Sequence, residues 1–225
     1  MPSAAPVESK RSSGPRSTKG VRTRARLVDA AKEIFEEQGF LEARISDIAE
    51  RAGLSHGSFY HYFDSKEQVF REVAETLDAR LSAPLGDVVL ATSNHVAPHE
   101  CIREALRLHF ESYKAEAKIM GVIEQVSRYD DQVNAVRQAR HRHYRDQIAD
   151  SIRQLQLRNL ADPGLDPVIA AAMVGALTTR FAEQWLVEGA VDCTMEEGID
   201  QVSRILVNAL GLEQEPASNR RRAAS

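Results

Sequence analysis

Apolar residues recur at helical spacing along most of this chain, and the breaks between the runs fall at glycine, proline and capping residues. Ile45, Ile48, Ala49 and Ala52 stand at i, i+3, i+4 and i+7, the spacing of one buried helix face. Upstream, Leu27, Ala30, Ala31, Ile34 and Phe35 share a face of a helix predicted from about Val21 to Gln38, with Gly39 as its stop. Downstream, Phe59 and Phe63 are spaced i, i+4 as inward anchors of a third helix. A fourth, from Lys66 to about Leu81, buries Val69, Phe70, Val73, Ala74 and Leu77. Pro84, Gly86 and the stretch ATSNHVAP then interrupt the pattern, which places a loop or domain boundary there.

Beyond Pro98 the helices lengthen. His99 to about Met120 carries Ile102, Leu106, Phe110 and Tyr113 on one face, and Asp131 to about Leu160 carries Val133, Val136, Tyr144, Ile148, Ile152 and Leu155 before the Asp162-Pro163-Gly164 turn. Asp166-Pro167 reads as a cap followed by proline at the first helical position. Thr194 with Glu197 forms a capping box ahead of Ile199, Val202, Ile205, Leu206, Ala209 and Leu210. The predicted fold is all-α with about nine helices.

The junctions around residue 54 are the informative ones. Gly53 suits the left-handed conformation in which helices stop, Leu54 can fold back on the core, and Ser55 can cap the helix that follows. Helix, glycine turn and capped second helix within about twenty residues make a helix-turn-helix, whose second helix enters the major groove of DNA. Residues at the start of such a helix reach base edges, so His56, Gly57 and Ser58 are the candidate readers, while Tyr60, His61 and Tyr62 are placed to touch phosphates or thymine methyls. Ser65 with Gln68 forms a capping box, and the free amides there, with the Lys66 ammonium, can bind one backbone phosphate.

Together, Ile48-Ala49, Ala52-Gly53-Leu54-Ser55, Gly57, Phe59-Tyr60, Tyr62-Phe63 and Ser65-Lys66-Glu67 resemble the signature of the TetR family of transcriptional regulators, over roughly residues 22 to 75. That resemblance implies a small N-terminal DNA-binding domain, a larger divergent helical domain that binds a ligand, and a homodimer that leaves its operator when the ligand binds. The chain departs from the pattern where Arg44-Ile45 replaces the usual threonine at the start of the second helix. Arginine can hold a phosphate there, but it cannot cap.

On this reading residues 1–20 form a disordered basic arm, 21–66 the helix-turn-helix domain, 67–212 a helical ligand-binding and dimerisation domain, and 213–225 a disordered tail. Charge fits it. The 225-residue chain is slightly acidic, with 29 Lys and Arg against 33 Asp and Glu, yet Lys10, Arg11, Arg16, Lys19, Arg22, Arg24 and Arg26 face only Glu8 near the start. Such an arm can follow the phosphate backbone; a solubilising tail is the other reading. Arg220-Arg221-Arg222 reads as part of a solvated tail.

The last two helices are the candidate partner surface. Ala170, Ala171, Ala172, Gly175 and Ala176 keep one thin and the other has a wide apolar face, so two pairs can make a four-helix dimer interface on a twofold operator. Leu106, Phe110, Tyr113, Ile123, Tyr129, Met173, Leu177, Phe181 and Trp185 are either the lining of an apolar cavity or plain core. The effector expected is apolar or amphiphilic, and Arg137, His141, Arg180 and Gln184 can supply polar ends for an anionic or amphiphilic molecule such as a lipid-like acid or thioester.

Other chemistry finds little support. Cys101 and Cys193 stand in no paired motif and read as ordinary buried thiols. His95, His99 and Cys101 straddle a proline, and His141 and His143 point to different helix faces, so no metal is expected. No glycine-rich phosphate loop, nucleophile elbow or metalloprotease motif is present, so neither a cofactor nor an enzyme is expected. With no long apolar run and no apolar leader, a cytoplasmic protein without membrane contact is the expectation. Two functions remain: a ligand-responsive repressor, or a DNA-binding regulator controlled by a protein partner or its own abundance.

Overall fold

The chain divides into two compact units, Met1–Val73 and Ala74–Ser225. The computed structural model describes residues 18–77 and 97–212. Among these there are nine α-helices, one π-helical turn and no strand. The expectations for the arm before residue 18, for the break between Pro84 and His95, and for the tail from residue 213 lie outside the described residues.

In the first unit α1 spans Thr18–Glu42 and is interrupted at Gly39, whose φ of 75° is left-handed. The helix therefore breaks after Gln38 as its sequence predicts, and the chain makes one more turn before α2, Ile45–Arg51. Helix α1 is already helical at Thr18, so Lys19, expected at the end of the arm, belongs to it together with Arg22, Arg24 and Arg26 of the predicted helix. The end of α2 is satisfied in two steps: the Gly53 amide donates to the Glu50 carbonyl and the Leu54 amide to that of Ala49, both at 2.8 Å. This closure needs φ of 65° at Gly53. We expect Gly53→Ala to lower stability by about 1–2 kcal/mol, read from thermal or urea unfolding.

The third helix, α3, is only His56–Phe59, followed by tight turns through Tyr62, and α4 covers residues 66–77. Leu27, Phe35, Ile48, Phe59, Phe63 and Phe70 form the core of the first unit, each at most 1% exposed. The ring centroids of Phe35 and Phe40 each lie 4.9 Å from that of Phe70.

In the second unit the segment expected as one helix is two, α5 (Pro98–Ala115) and α6 (Ala117–Val126), broken at Glu116 with φ −113° and ψ 14°. Helix α7, Asp131–Leu157, opens on Asp130, whose carboxylate accepts from the Gln132 and Val133 amides at 2.9 Å. It ends three residues before the expected Leu160 because Asn159 adopts φ 56° and the Leu160 amide turns back to the Leu155 carbonyl. Helix α8, Pro167–Ala182, is capped by Asp166 and runs into a π-helical turn, Glu183–Val187. Helix α9, Met195–Ala209, starts with the predicted capping box of Thr194 and Glu197.

Helix α7 packs on α8 and α5 on α9. One core joins Ala149, Ile152 and Leu155 of α7 to Ala170 and Ala171 of α8 and Val207 of α9. A second gathers Phe110, Phe181 and Trp185, with ring centroids 5.5–5.8 Å apart. No helix among the described residues is long and apolar enough to cross a membrane.

Candidate nucleic-acid interface and ligand cavity

The reading helix is held from beneath. Phe59 and Phe63 are buried under it, and Ser55 caps its start, its hydroxyl oxygen accepting from the Ser58 amide at 3.3 Å. Burial of those two rings leaves Ser55, His56, Gly57, Tyr60 and His61 exposed, while Ser58 and Tyr62 are half-buried. The Ser58 and Ser55 hydroxyls lie 2.7 Å apart, and the His56 and Tyr60 rings meet edge to face at 5.4 Å. A Cβ at Gly57 would meet nothing within 4 Å, which leaves an open notch in the face. Arg44 precedes α2 as an exposed, extended residue that makes no side-chain capping bond.

Lys66 has a different task from the phosphate contact expected of it. Its ammonium donates to the carbonyls of Phe40, Leu41 and Ala43 at 2.7, 3.0 and 2.9 Å and lies 4.8 Å from the Phe40 ring centroid. Those carbonyls belong to the corner between α1 and α2, where the helical ladder has run out. All three ammonium protons are thereby engaged, so the side chain braces the fold instead of reaching outward. The cap beside it also differs: Ser65 accepts from the Gln68 amide at 3.2 Å, but Gln68 reaches back to the Asp64 amide and not to that of Ser65.

Two arginines of the basic stretch near the start of the chain are braces as well. Arg24 makes a forked pair with Glu72, donates to the Tyr62 carbonyl, and lies over the Phe63 ring at 4.2 Å. Arg26 donates to the Ala52 carbonyl at the end of α2. Both tie α1 to the segments that position α3.

In the second unit the expected ligand residues sort differently. Leu106, Phe110 and Ile123 are closed into the core, and Phe181 and Trp185 pack on Phe110. The Trp185 indole donates to the Cys193 carbonyl at 3.1 Å and packs against Gly198, where an added Cβ would come within 2.9 Å of the ring. Tyr129 and Met173 point outward, 56% and 68% exposed, so neither lines a cavity; Leu177 is half-buried on α8. Arg137 is held by a forked pair with Glu124 at 2.7 and 2.8 Å, and Arg180 by Glu183 and Glu188, which removes both as polar ends. Of the expected ligand residues, Tyr113 and His141 border one of the three cavities described next.

The first cavity, of about 120 Å³, is apolar and is walled by Ile102, Ile148, Ile152, Leu155, Leu206 and Leu210, with Cys101 at its side. A second, of about 90 Å³, shares Ile148 and Val174 with it and adds Tyr144, Gly175 and Thr178. A third, of about 30 Å³, shares His109, Tyr144 and Thr179 with the second and is lined further by Tyr113, Arg140 and His141. Shared walls make the three a graded series from a greasy end to a polar one.

The polar end is electrostatically distinct. His109 and His141 are held down at about 4, first by burial and then by the Arg140 charge, with Arg137 adding to the effect on His141. Burial, then the Glu183 carboxylate, pushes the Tyr113 hydroxyl up to about 12. Arg140 is 6% exposed, and His109 Nε2 is shut off from solvent with no hydrogen-bond partner among the described residues. Sequence reasoning missed both groups. The available signal was a polar residue standing within an apolar stripe: His109 between Leu106, Phe110 and Tyr113, and Arg140 between Val133, Val136 and Tyr144.

No group of three or more His, Cys, Asp or Glu side chains suited to a metal ion is found among the described residues.

Comparison with known proteins agrees with the geometry of the first unit. Residues 27–73 match the family described as bacterial regulatory proteins, tetR family. The chain is 42% identical over 64 residues to YdgC of Bacillus subtilis (strain 168), an uncharacterized helix-turn-helix-type transcriptional regulator, a match covering 28% of this chain and 33% of that protein. It is 25% identical over 160 residues to the helix-turn-helix-type transcriptional regulator UidR of Escherichia coli (strain K12), covering 69% of this chain and 78% of UidR. The transcriptional regulator FadR of Bacillus subtilis, solved in complex with stearoyl-CoA, has the same fold, with a TM-score of 0.69 at 17% identity over 81% of this chain and 97% of that one. In residues 27–73 the chain carries the DNA-binding domain of the tetR family, and it is a DNA-binding transcriptional regulator.

Proposed function

We propose that this protein is a homodimeric repressor that reads a twofold operator through α3 and leaves it when a small apolar or amphiphilic molecule occupies the second unit. The observation that carries the DNA half is the exposed set of His56, Gly57, Tyr60 and His61 on a helix pinned from behind by Phe59 and Phe63. In this reading His56, Gly57 and Ser58 read bases. Arg44, Ser55, Tyr60, His61 and Tyr62 contact the backbone.

An apolar strip supports the dimer: Val168, Ile169 and Met173 of α8 and Ile205 of α9 are 42%, 63%, 68% and 50% exposed. A second copy covering that strip would give the protein two reading helices, as an operator with half-sites about 34 Å apart, one turn of DNA, requires. The ligand half is supported by the graded cavities, since an apolar site of about 120 Å³ is of the order that takes up a small apolar molecule. FadR, of the same fold, was solved with stearoyl-CoA. Effector binding would favour a dimer state whose reading helices no longer match successive major grooves.

The test is selection of genomic DNA fragments by purified protein, at a salt concentration that suppresses nonspecific binding. Recovery of a palindromic site bound by two copies is the expected result. Recovery of single half-sites by a monomer would overturn the dimer reading. Within a recovered site, we expect His56→Ala to relax base preference at about one position per half-site, at a cost of about 1–3 kcal/mol against the preferred base.

A further inference from the structure

We propose that the apolar cavity between α5, α7, α8 and α9 takes up an uncharged, apolar molecule of about the size of one substituted ring. This rests on the reading of the second unit as the effector site and names the ligand class that site accepts. The space measures about 120 Å³ and is bordered by side chains from all four helices, among them Ile102, Ile148, Ile152, Val174, Leu206 and Leu210. Water inside an aliphatic cavity finds no hydrogen-bond partners, so a space of this order stays dry and takes up molecules such as benzene.

The exclusion of charge follows from the few polar groups on the lining. The Ser151 hydroxyl is already committed to the Gln147 carbonyl at 3.1 Å. Cys101 offers a thiol, which packs as a small hydrophobe with a weak donor. Arg158, at the end of α7, is exposed, whereas Ile152 and Leu155 on the same helix are buried. Among the described residues the lining holds no carboxylate. A charged group among the aliphatic walls would therefore give up its hydration with no opposite charge buried beside it, a loss larger than the apolar gain from one ring. An anion keeps its hydration only beside Arg158, on the exposed side of the lining, where its ring no longer fills the space.

Three one-ring probes separate the possibilities: toluene, benzoate and benzylammonium, titrated into the full-length protein by calorimetry and into its DNA complex by fluorescence anisotropy. Toluene is expected to bind at least about tenfold more tightly than either ion and to release DNA. From toluene to butylbenzene affinity should rise by up to about fourfold per methylene and then level off as the cavity fills; a rise continuing to octylbenzene would overturn the one-ring size. Val174→Phe, which places a ring in the space, should weaken toluene by at least about tenfold, and Cys101→Leu, a smaller intrusion from α5, should weaken it less. Thermal unfolding of both variants without ligand separates a filled cavity, which keeps the wild-type transition, from a damaged fold. Unchanged toluene affinity in the folded variants would overturn this cavity as the site. Equal or tighter binding of benzoate or benzylammonium would overturn the uncharged class and leave a ligand-responsive regulator standing. Toluene binding that leaves DNA affinity unchanged would keep the site and overturn the effector reading, and failure of all three to bind a folded, DNA-competent protein would overturn both.

Discussion

Lys66→Met should destabilise the first unit by about 3 kcal/mol, with no specific loss of a phosphate contact. The ammonium donates to three carbonyls at 2.7–3.0 Å, and hydrogen bonds to a charged group are worth about 1.5–3 kcal/mol each. They do not add in full, because the Leu41 carbonyl is open to water and can be solvated when the lysine is lost, whereas the bonds to Phe40 and Ala43 are part-buried. Methionine keeps much of the aliphatic stem beside Phe40, so the difference reports the ammonium. Urea unfolding of the wild type and the variant gives the free energy. The salt dependence of DNA binding supplies the contrast: a lysine that neutralised a phosphate would lower the slope by about one on removal, and a brace would leave the slope of the folded fraction unchanged. Lys66→Arg should not restore stability, because a planar fork cannot point at three convergent carbonyls.

That contrast shows how far the sequence could be read. The helix breaks at Gly39 and Gly53, the caps at Ser55, Asp166 and Thr194, and the buried faces around Phe35, Ile48 and Phe59 are all local: each is written in residues a few positions apart, and each is found as expected. Lys66 to the carbonyls of Phe40 and Ala43 spans 26 and 23 residues, Arg24 to Glu72 spans 48, and no periodicity encodes such partners. A charged residue near a DNA-binding helix reads as a DNA contact when its internal partner is invisible.

The second unit was harder for a related reason. Apolar periodicity identifies the buried face of each helix but not where facing side chains fail to fill the space between them. Phe110, Phe181 and Trp185 were correctly buried or half-buried, yet they fill their space, while the gap opens beside smaller and branched residues such as Ile148, Val174 and Ile152. At the polar end Tyr113 and His141 were among the expected residues, whereas His109 and Arg140 were missed because they stand where an apolar residue would ordinarily be core.

The same buried histidines should make the second unit acid-labile. His109 titrates near 6.5 in an ordinary environment and near 4 here, because burial and then Arg140 penalise its charged form. With the folded value below the unfolded one, the unfolded chain binds the proton first as pH falls. Stability is therefore fully present above about 6.5 and is lost progressively as pH falls toward 4. A drop of that size corresponds to about 3 kcal/mol from His109. His141 is shifted in the same direction but is more open to solvent, so screening reduces its share. Urea unfolding at pH 7, 5.5 and 4.5 should show this slope, and His109→Gln, which cannot take up the proton, should remove the larger part of it. The variant would then be less sensitive to acid than the wild type even if it is less stable at pH 7. A slope unchanged by His109→Gln would place the proton uptake on other groups and contradict the buried, neutral imidazole.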